Sequence, residues 1–155
     1  MQTWITLLET NDFIGIKKYL KSGADVNELN DHDESVLALA LRLRCDNDTI
    51  DLIVNSGADL NEFDEEGVSI FDNTITYNNA PLFYKLLEDG VDVNMTQRKS
   101  RFTPLMAAVC YGRSEMVKAL LKHGAKKEMA DFKGFKASDF ARKMNKKSML
   151  SLLET

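Results

Sequence analysis

The chain is most informative first in what it lacks. Only two of its 155 residues are cysteine and two are histidine. No C-x-x-C pair, H-E-x-x-H helix, G-x-S-x-G elbow or phosphate-cradling glycine loop occurs in it. Cys45 and Cys110 fall in separate helical stretches, which suits two reduced thiols in small helical positions better than a disulfide. His32 reads as a solvated turn residue, and His123 lies at a helix end. A metal or haem site would require Tyr77, Tyr111, Cys110 and His32 to converge from separate segments. No catalytic residue, metal ligand or cofactor is therefore assigned, and an enzyme is the least favoured class. No stretch approaches the ~18 apolar residues of a membrane span. The opening MQTWITLLETND is acidic and has no basic region before an apolar one, so a secretory signal is not expected. These absences point to a cytoplasmic protein.

What is present is a pattern. Residues 102–125, FTPLMAAVCYGRSEMVKALLKHGA, open on Thr103 and Pro104, a hydroxyl cap and a first-turn proline. The stretch runs apolar to Val109, turns at Gly112 and restarts at Ser114. Met116, Val117, Leu120 and Leu121 then share one face, and Gly124 closes the unit. Helix, tight turn, helix and glycine make one αα-hairpin. The glycine strings recur as GADVN from Gly23, GADLN from Gly57, GVDVN from Gly90 and a degenerate GAKKE from Gly124, in steps of 34, 33 and 34 residues. Each follows a short apolar helix, and the first three precede a capped helix start at Ser35, Ser69 or Thr103. Of the eight glycines, only Gly15 falls outside this register. A hydrophobic content of 44% suffices for a continuous core.

A period near 33 residues with a T-P-L-H-x-A helix start resembles the ankyrin-repeat family. The resemblance covers almost the whole chain. It implies an all-α solenoid of five helix-turn-helix repeats joined by β-turn or hairpin loops. The chain would be a single domain, 1–155, with an N-terminal cap over 1–29, repeats at 30–62, 63–95 and 96–129, and a C-terminal cap over 130–155. Departures are also visible. Val36 and Ala38 replace the family's proline and histidine, and an extra residue sits near Arg44. Another lies in the fourth turn, between Met95 and Phe102. The first helix of the third repeat, Ser69 to Tyr77, is poor in strong helix formers and is expected to be the softest part. Lys136-Ala137-Ser138 opens the fifth repeat without hydroxyl cap or proline.

Charge is unevenly divided. Residues 1–77 carry 16 acidic and 5 basic side chains, whereas residues 78–155 carry 8 acidic and 15 basic. Stacked turns would set Glu28, Asp31, Asp33 and Glu34 beside Glu62, Asp64, Glu65 and Glu66 as one acidic edge. The later turns carry Arg98, Lys99, Arg101, Lys126, Lys127, Lys133 and Lys136. Fields of this kind steer encounters and select among partners.

The family usually binds other proteins through its concave side. Carried over by position, that side here comprises Asp31, His32, Glu34, Arg42, Glu65, Glu66, Thr76, Tyr77, Lys99, Phe102, Cys110, Tyr111, Phe132 and Lys133. Val68, Ser100, Phe135, Leu43, Lys143 and Met144 adjoin them. Tyr77 and Tyr111 would be neighbours, and aromatics of this kind anchor interfaces. The expected function is a non-enzymatic, monomeric protein–protein interaction module, a scaffold or adaptor. An alternative is an accessory protein that delivers a cofactor such as haem, or helps mature a partner enzyme such as catalase. Nucleic acid is disfavoured by the acidic half, and the divided charge leaves head-to-tail self-association as a separate possibility.

Overall fold

The structure, a computed structural model, describes residues 1–154. Those residues form ten helices in five pairs: α1 (Gln2–Glu9) and α2 (Phe13–Lys21), α3 (Val36–Arg42) and α4 (Asn47–Asn55), α5 (Ile70–Thr76) and α6 (Ala80–Glu88), α7 (Pro104–Cys110) and α8 (Ser114–Lys122), α9 (Ala137–Lys143) and α10 (Lys147–Glu154). β pairing among them is confined to isolated bridges, including the antiparallel ones from Leu29 to Ser35 and from Ala130 to Lys136 inside turns. The class is all-α, as the sequence pattern predicts. The chain divides into two compact units, residues 1–65 with α1 to α4 and residues 66–155 with α5 to α10.

Local chemistry accounts for the helix starts. Ser35, Ser69 and Thr103 each accept a hydrogen bond from the backbone three residues on, at Ala38, Asp72 and Met106. Lys136 has no hydroxyl to offer. There the Asp139 carboxylate reaches back to the Lys136 amide at 2.8 Å instead. The second helices are capped by Asp12, Asp46 and Asn79. Gly15, the glycine outside the repeat register, sits under the first of these caps. A Cβ there would lie 2.3 Å from the Asp12 carboxylate and 2.8 Å from the Leu7 side chain. Its reason is close approach, and it is the one glycine without a positive φ.

The register of left-handed residues fixes the repeat. Asn11, Arg44, Asn78, Gly112 and Asn145 take positive φ between the helices of each pair, and Asp33, Gly67, Arg101 and Gly134 do so in the turns. The extra residue near Arg44 lies between that left-handed linker and the cap Asp46; it is Cys45. The longer fourth turn is also present, between Gly90 and Arg101.

In the first unit, Trp4, Leu8, Ile16, Leu37, Leu41 and Ile53 are fully buried. The Trp4 indole meets Tyr19 edge-on at 5.0 Å and donates to the Asp25 carbonyl. In the second unit, Ile75, Phe83, Met106, Val117, Leu120 and Ala141 form the interior, with Ala107 and Ala108 on the seven-residue α7 wholly enclosed. Small residues there let short helices approach closely. The helix expected to be softest, α5, is formed over its full seven residues. Its Ser69–Asp72 capping box compensates weak helix formers, and Asp72, Asn73 and Thr74 are all buried. Burial pushes the Asp72 carboxyl above the usual carboxylate range, although Arg98 lies 3.5 Å away.

One contact recurs in register. The residue after a left-handed linker reaches back to the end of the preceding first helix. Cys45 Sγ donates to the Leu8 carbonyl at 3.3 Å, Arg113 to the carbonyls of Ile75 and Thr76, and Lys146 to those of Val109 and Cys110. The last carbonyls of a helix have no partner within it, so in these three places a repeat caps the one before, within one unit each time.

Candidate interaction surface

The turn tips and the C-terminal ends of the first helices carry the residues expected to bind. In the first unit, Asn30 organises the turn by accepting from the amides of His32 and Glu34. This sets Glu34 against Arg42, which donates twice, at 2.8 and 2.9 Å. Such a bidentate pair fixes geometry as well as charge. The His32 carbonyl accepts from the Glu65 amide at 3.1 Å, and Nδ1 of the same histidine lies 2.7 Å from Glu65 Oε1. Asp31, His32, Arg42 and Glu65 are exposed and Glu34 is half-buried. Within this unit the acidic edge is more heavily neutralised than residue counting suggests. Glu34 is held by Arg42, Glu65 by His32, and Glu28 by the terminal amine. The Glu62 carboxyl is pushed up, by burial first and then by Asp59 and Asp25.

The hydrogen bond to Glu65, followed by its charge, raises the His32 pKa above the ordinary 6.5. A raised pKa in the folded state means that the pair contributes fully below 6.5 and fades as pH rises through the folded value. In a proton NMR titration, the His32 midpoint should exceed that of a Glu65→Gln variant. Equal midpoints would show that the two side chains do not meet in solution.

The second unit is different in kind. Tyr77 and Tyr111 hold equivalent positions, as the residues that end α5 and α7. Tyr77 is half-buried, whereas Tyr111 is 50% exposed. Arg113 joins the two sites: its guanidinium lies 5.9 Å from the Tyr111 ring and hydrogen-bonds the carbonyls of Ile75 and Thr76, just before Tyr77. Cys110 is half-buried, and burial raises its thiol pKa, with Lys146 opposing. Cys45 is pushed up to about 11 by burial. Neither is an activated nucleophile.

At the turns, a chain of rings runs between the last two repeats. Phe102 packs edge-on against Phe140 at 5.5 Å, and Phe140 against Phe135 at 6.1 Å. Arg98 covers Phe102 at 5.4 Å, and Lys143 lies 5.9 Å from Phe135. The Phe132 amide donates to the Ser100 carbonyl at 2.9 Å, which ties the two turns together. Phe132 itself is 61% exposed, with Lys133 Nζ 5.5 Å from its ring. Phe102 and Phe135 thus serve turn packing, while Phe135 keeps 42% of its surface in water. Phe140, Arg113 and Lys146 escaped the sequence reading. Phe140 looks like any apolar position of α9, and only the ring contacts reveal its place. Glu66 and Lys99 are exposed, and Thr76 is half-buried. No helix of the described residues is long and apolar enough to cross a membrane.

Comparison with known proteins agrees with this geometry. The family described as ankyrin repeats (3 copies) matches residues 73–154. An ankyrin repeat protein of Acanthamoeba polyphaga mimivirus is 31% identical over 110 residues, 67% of this chain and 67% of that protein. The phosphocholine transferase AnkX of Legionella pneumophila is 32% identical over 133 residues, 84% of this chain but 13% of the transferase. The E3 ubiquitin-protein ligase hecd-1 of Caenorhabditis elegans is 32% identical over 93 residues, 60% of this chain. The chain spans only 3% of that ligase. In the two enzymes the matching part is thus a small portion, and their activities belong to those whole proteins. Repeats of this type bind other proteins. The family match over more than half of the chain, on helix pairs that share one register, shows that this chain belongs to the ankyrin-repeat family.

Proposed function

We propose that the chain is a non-enzymatic adaptor that binds a partner protein through its turn tips and the ends of its first helices. The observation that carries this is the exposure of Tyr111, Phe132 and Phe135 along that side of the second unit, each with a cation over or beside its ring. Large rings left in water at repeat-registered positions are interface material rather than unfinished core. Asp31, His32, Glu34, Arg42 and Glu65 offer the first unit's share of the surface. Glu66, Thr76, Tyr77, Lys99, Phe102, Cys110, Tyr111, Phe132 and Lys133 offer the second's. On this reading the chain is a single domain of five repeats that acts as a cytoplasmic monomer. Cofactor delivery or maturation of an enzyme such as catalase has no observation in its favour in the family match or the relatives.

The test is capture of a partner by wild type and by Tyr111→Ala. Tyr111 ends its helix and is half exposed, so the variant should fold. Truncation of a central ring should weaken capture by at least about tenfold. A partner retained undiminished by the folded variant would place binding elsewhere.

A further inference from the structure

We infer that the partner presents an acidic segment with aromatic or large aliphatic anchors, seated on the second unit between Tyr111 and the turns that carry Lys99 and Lys133. This rests on the proposed function and gives that surface a ligand chemistry. The argument begins with charge. Residues 66–155 contain 10 acidic and 15 basic side chains. The acids near the turns are already engaged within the unit. Asp72 is bonded to Ser69 and paired with Arg98, Asp131 accepts from the Lys133 and Phe135 amides, Glu128 holds Lys136, and Asp139 holds Arg142. The cations are not all answered. Lys99, Arg101, Lys133 and Lys143 are exposed and form no ion pair among the described residues. Two of the four lie within 6 Å of a ring centroid, Lys133 at Phe132 and Lys143 at Phe135.

The surface therefore alternates unpaired ammonium groups with half-exposed rings. A carboxylate docked beside Lys133 or Lys143 gains the charge, and an apolar anchor covers the adjoining ring. Neither a purely acidic nor a purely apolar segment satisfies both. A basic segment meets like charge, which disfavours it. Single-stranded nucleic acid also combines anionic groups with stacking faces. The whole chain carries a net charge of −4, which disfavours an extended polyanion more than a short protein segment.

A phage library of random dodecapeptides panned on the full chain tests the idea without assuming a sequence. The enriched peptides should be net acidic and carry Phe, Trp, Leu or Ile. Synthetic copies should bind at least about tenfold more weakly to Lys133→Glu/Lys143→Glu and at high salt, while a version with Lys for every acid should not bind. Enriched peptides that are neutral or basic yet lost by Tyr111→Ala would overturn the acidic chemistry and leave the interaction surface standing. Enriched peptides indifferent to Tyr111→Ala, or no enrichment, would overturn both. An oligothymidylate that binds more tightly than the best peptide and is lost by the double Lys variant would assign the surface to nucleic acid.

Discussion

Gly67→Ala should destabilise the chain by about 3–5 kcal/mol, whereas Gly134→Ala, at the same turn position two repeats on, should cost only about 1–2 kcal/mol. Both glycines have positive φ, +80° and +85°, so an alanine at either meets the left-handed penalty. What separates them is the neighbouring chain. A Cβ on Gly67 would lie 2.2 Å from the Gln97 carbonyl oxygen and 2.8 Å from the Arg98 amide nitrogen, both backbone atoms. A Cβ on Gly134 meets nothing within 4 Å. Backbone cannot rotate out of the way as a side chain can, so the fourth turn itself would have to shift. Conformation alone does not demand glycine here, since Asp33 and Arg101 hold the same register at φ 58°. Urea unfolding of the two variants decides the matter. Equal losses would mean that the turns in solution are not packed as described.

The fold was legible because the repeat writes itself several times. A glycine string in steps of 34, 33 and 34 residues, with helix starts in phase, leaves little freedom to the backbone. The two length irregularities, near Arg44 and in the fourth turn, were also visible as breaks in the count. What the sequence hid was chemistry that depends on one repeat touching the next. Glu34 and Glu65 each count as a carboxylate on an acidic edge until the structure pairs them with Arg42 and His32. Asp72 looks like a weak helix former, yet it is a buried cap acid facing Arg98 from the following turn. Gly15 looks like noise until Asp12 and Leu7 close over it. Periodicity reports which face of a helix is apolar, but not which side chain reaches across to the neighbouring repeat.

That cross-repeat reach gives the other large effect, at Arg113. Arg113→Ala should cost about 3 kcal/mol, because two charge-assisted hydrogen bonds to carbonyls disappear and leave the end of α5 unsatisfied. The bonds measure 3.0 Å to Ile75 and 2.8 Å to Thr76, from a half-buried guanidinium. Arg113 occupies the N-cap position of α8 but makes no side-chain cap there; its side chain serves the previous repeat instead. In the second repeat the extra residue separates the two tasks, with Cys45 reaching Leu8 and Asp46 capping α4. Lys146 shows that an ammonium in this register can also bond two carbonyls, at 3.0 and 2.9 Å. Arg113→Lys should accordingly keep most of the stability, with a loss of about 1 kcal/mol. The alanine variant should also speed amide exchange in α5 more than in α8. If Arg113→Lys were as damaging as Arg113→Ala, packing of the guanidinium against Tyr111 would be the dominant contribution. If exchange accelerated in α8 first, the residue would be a local support of its own helix rather than a cap on the preceding one.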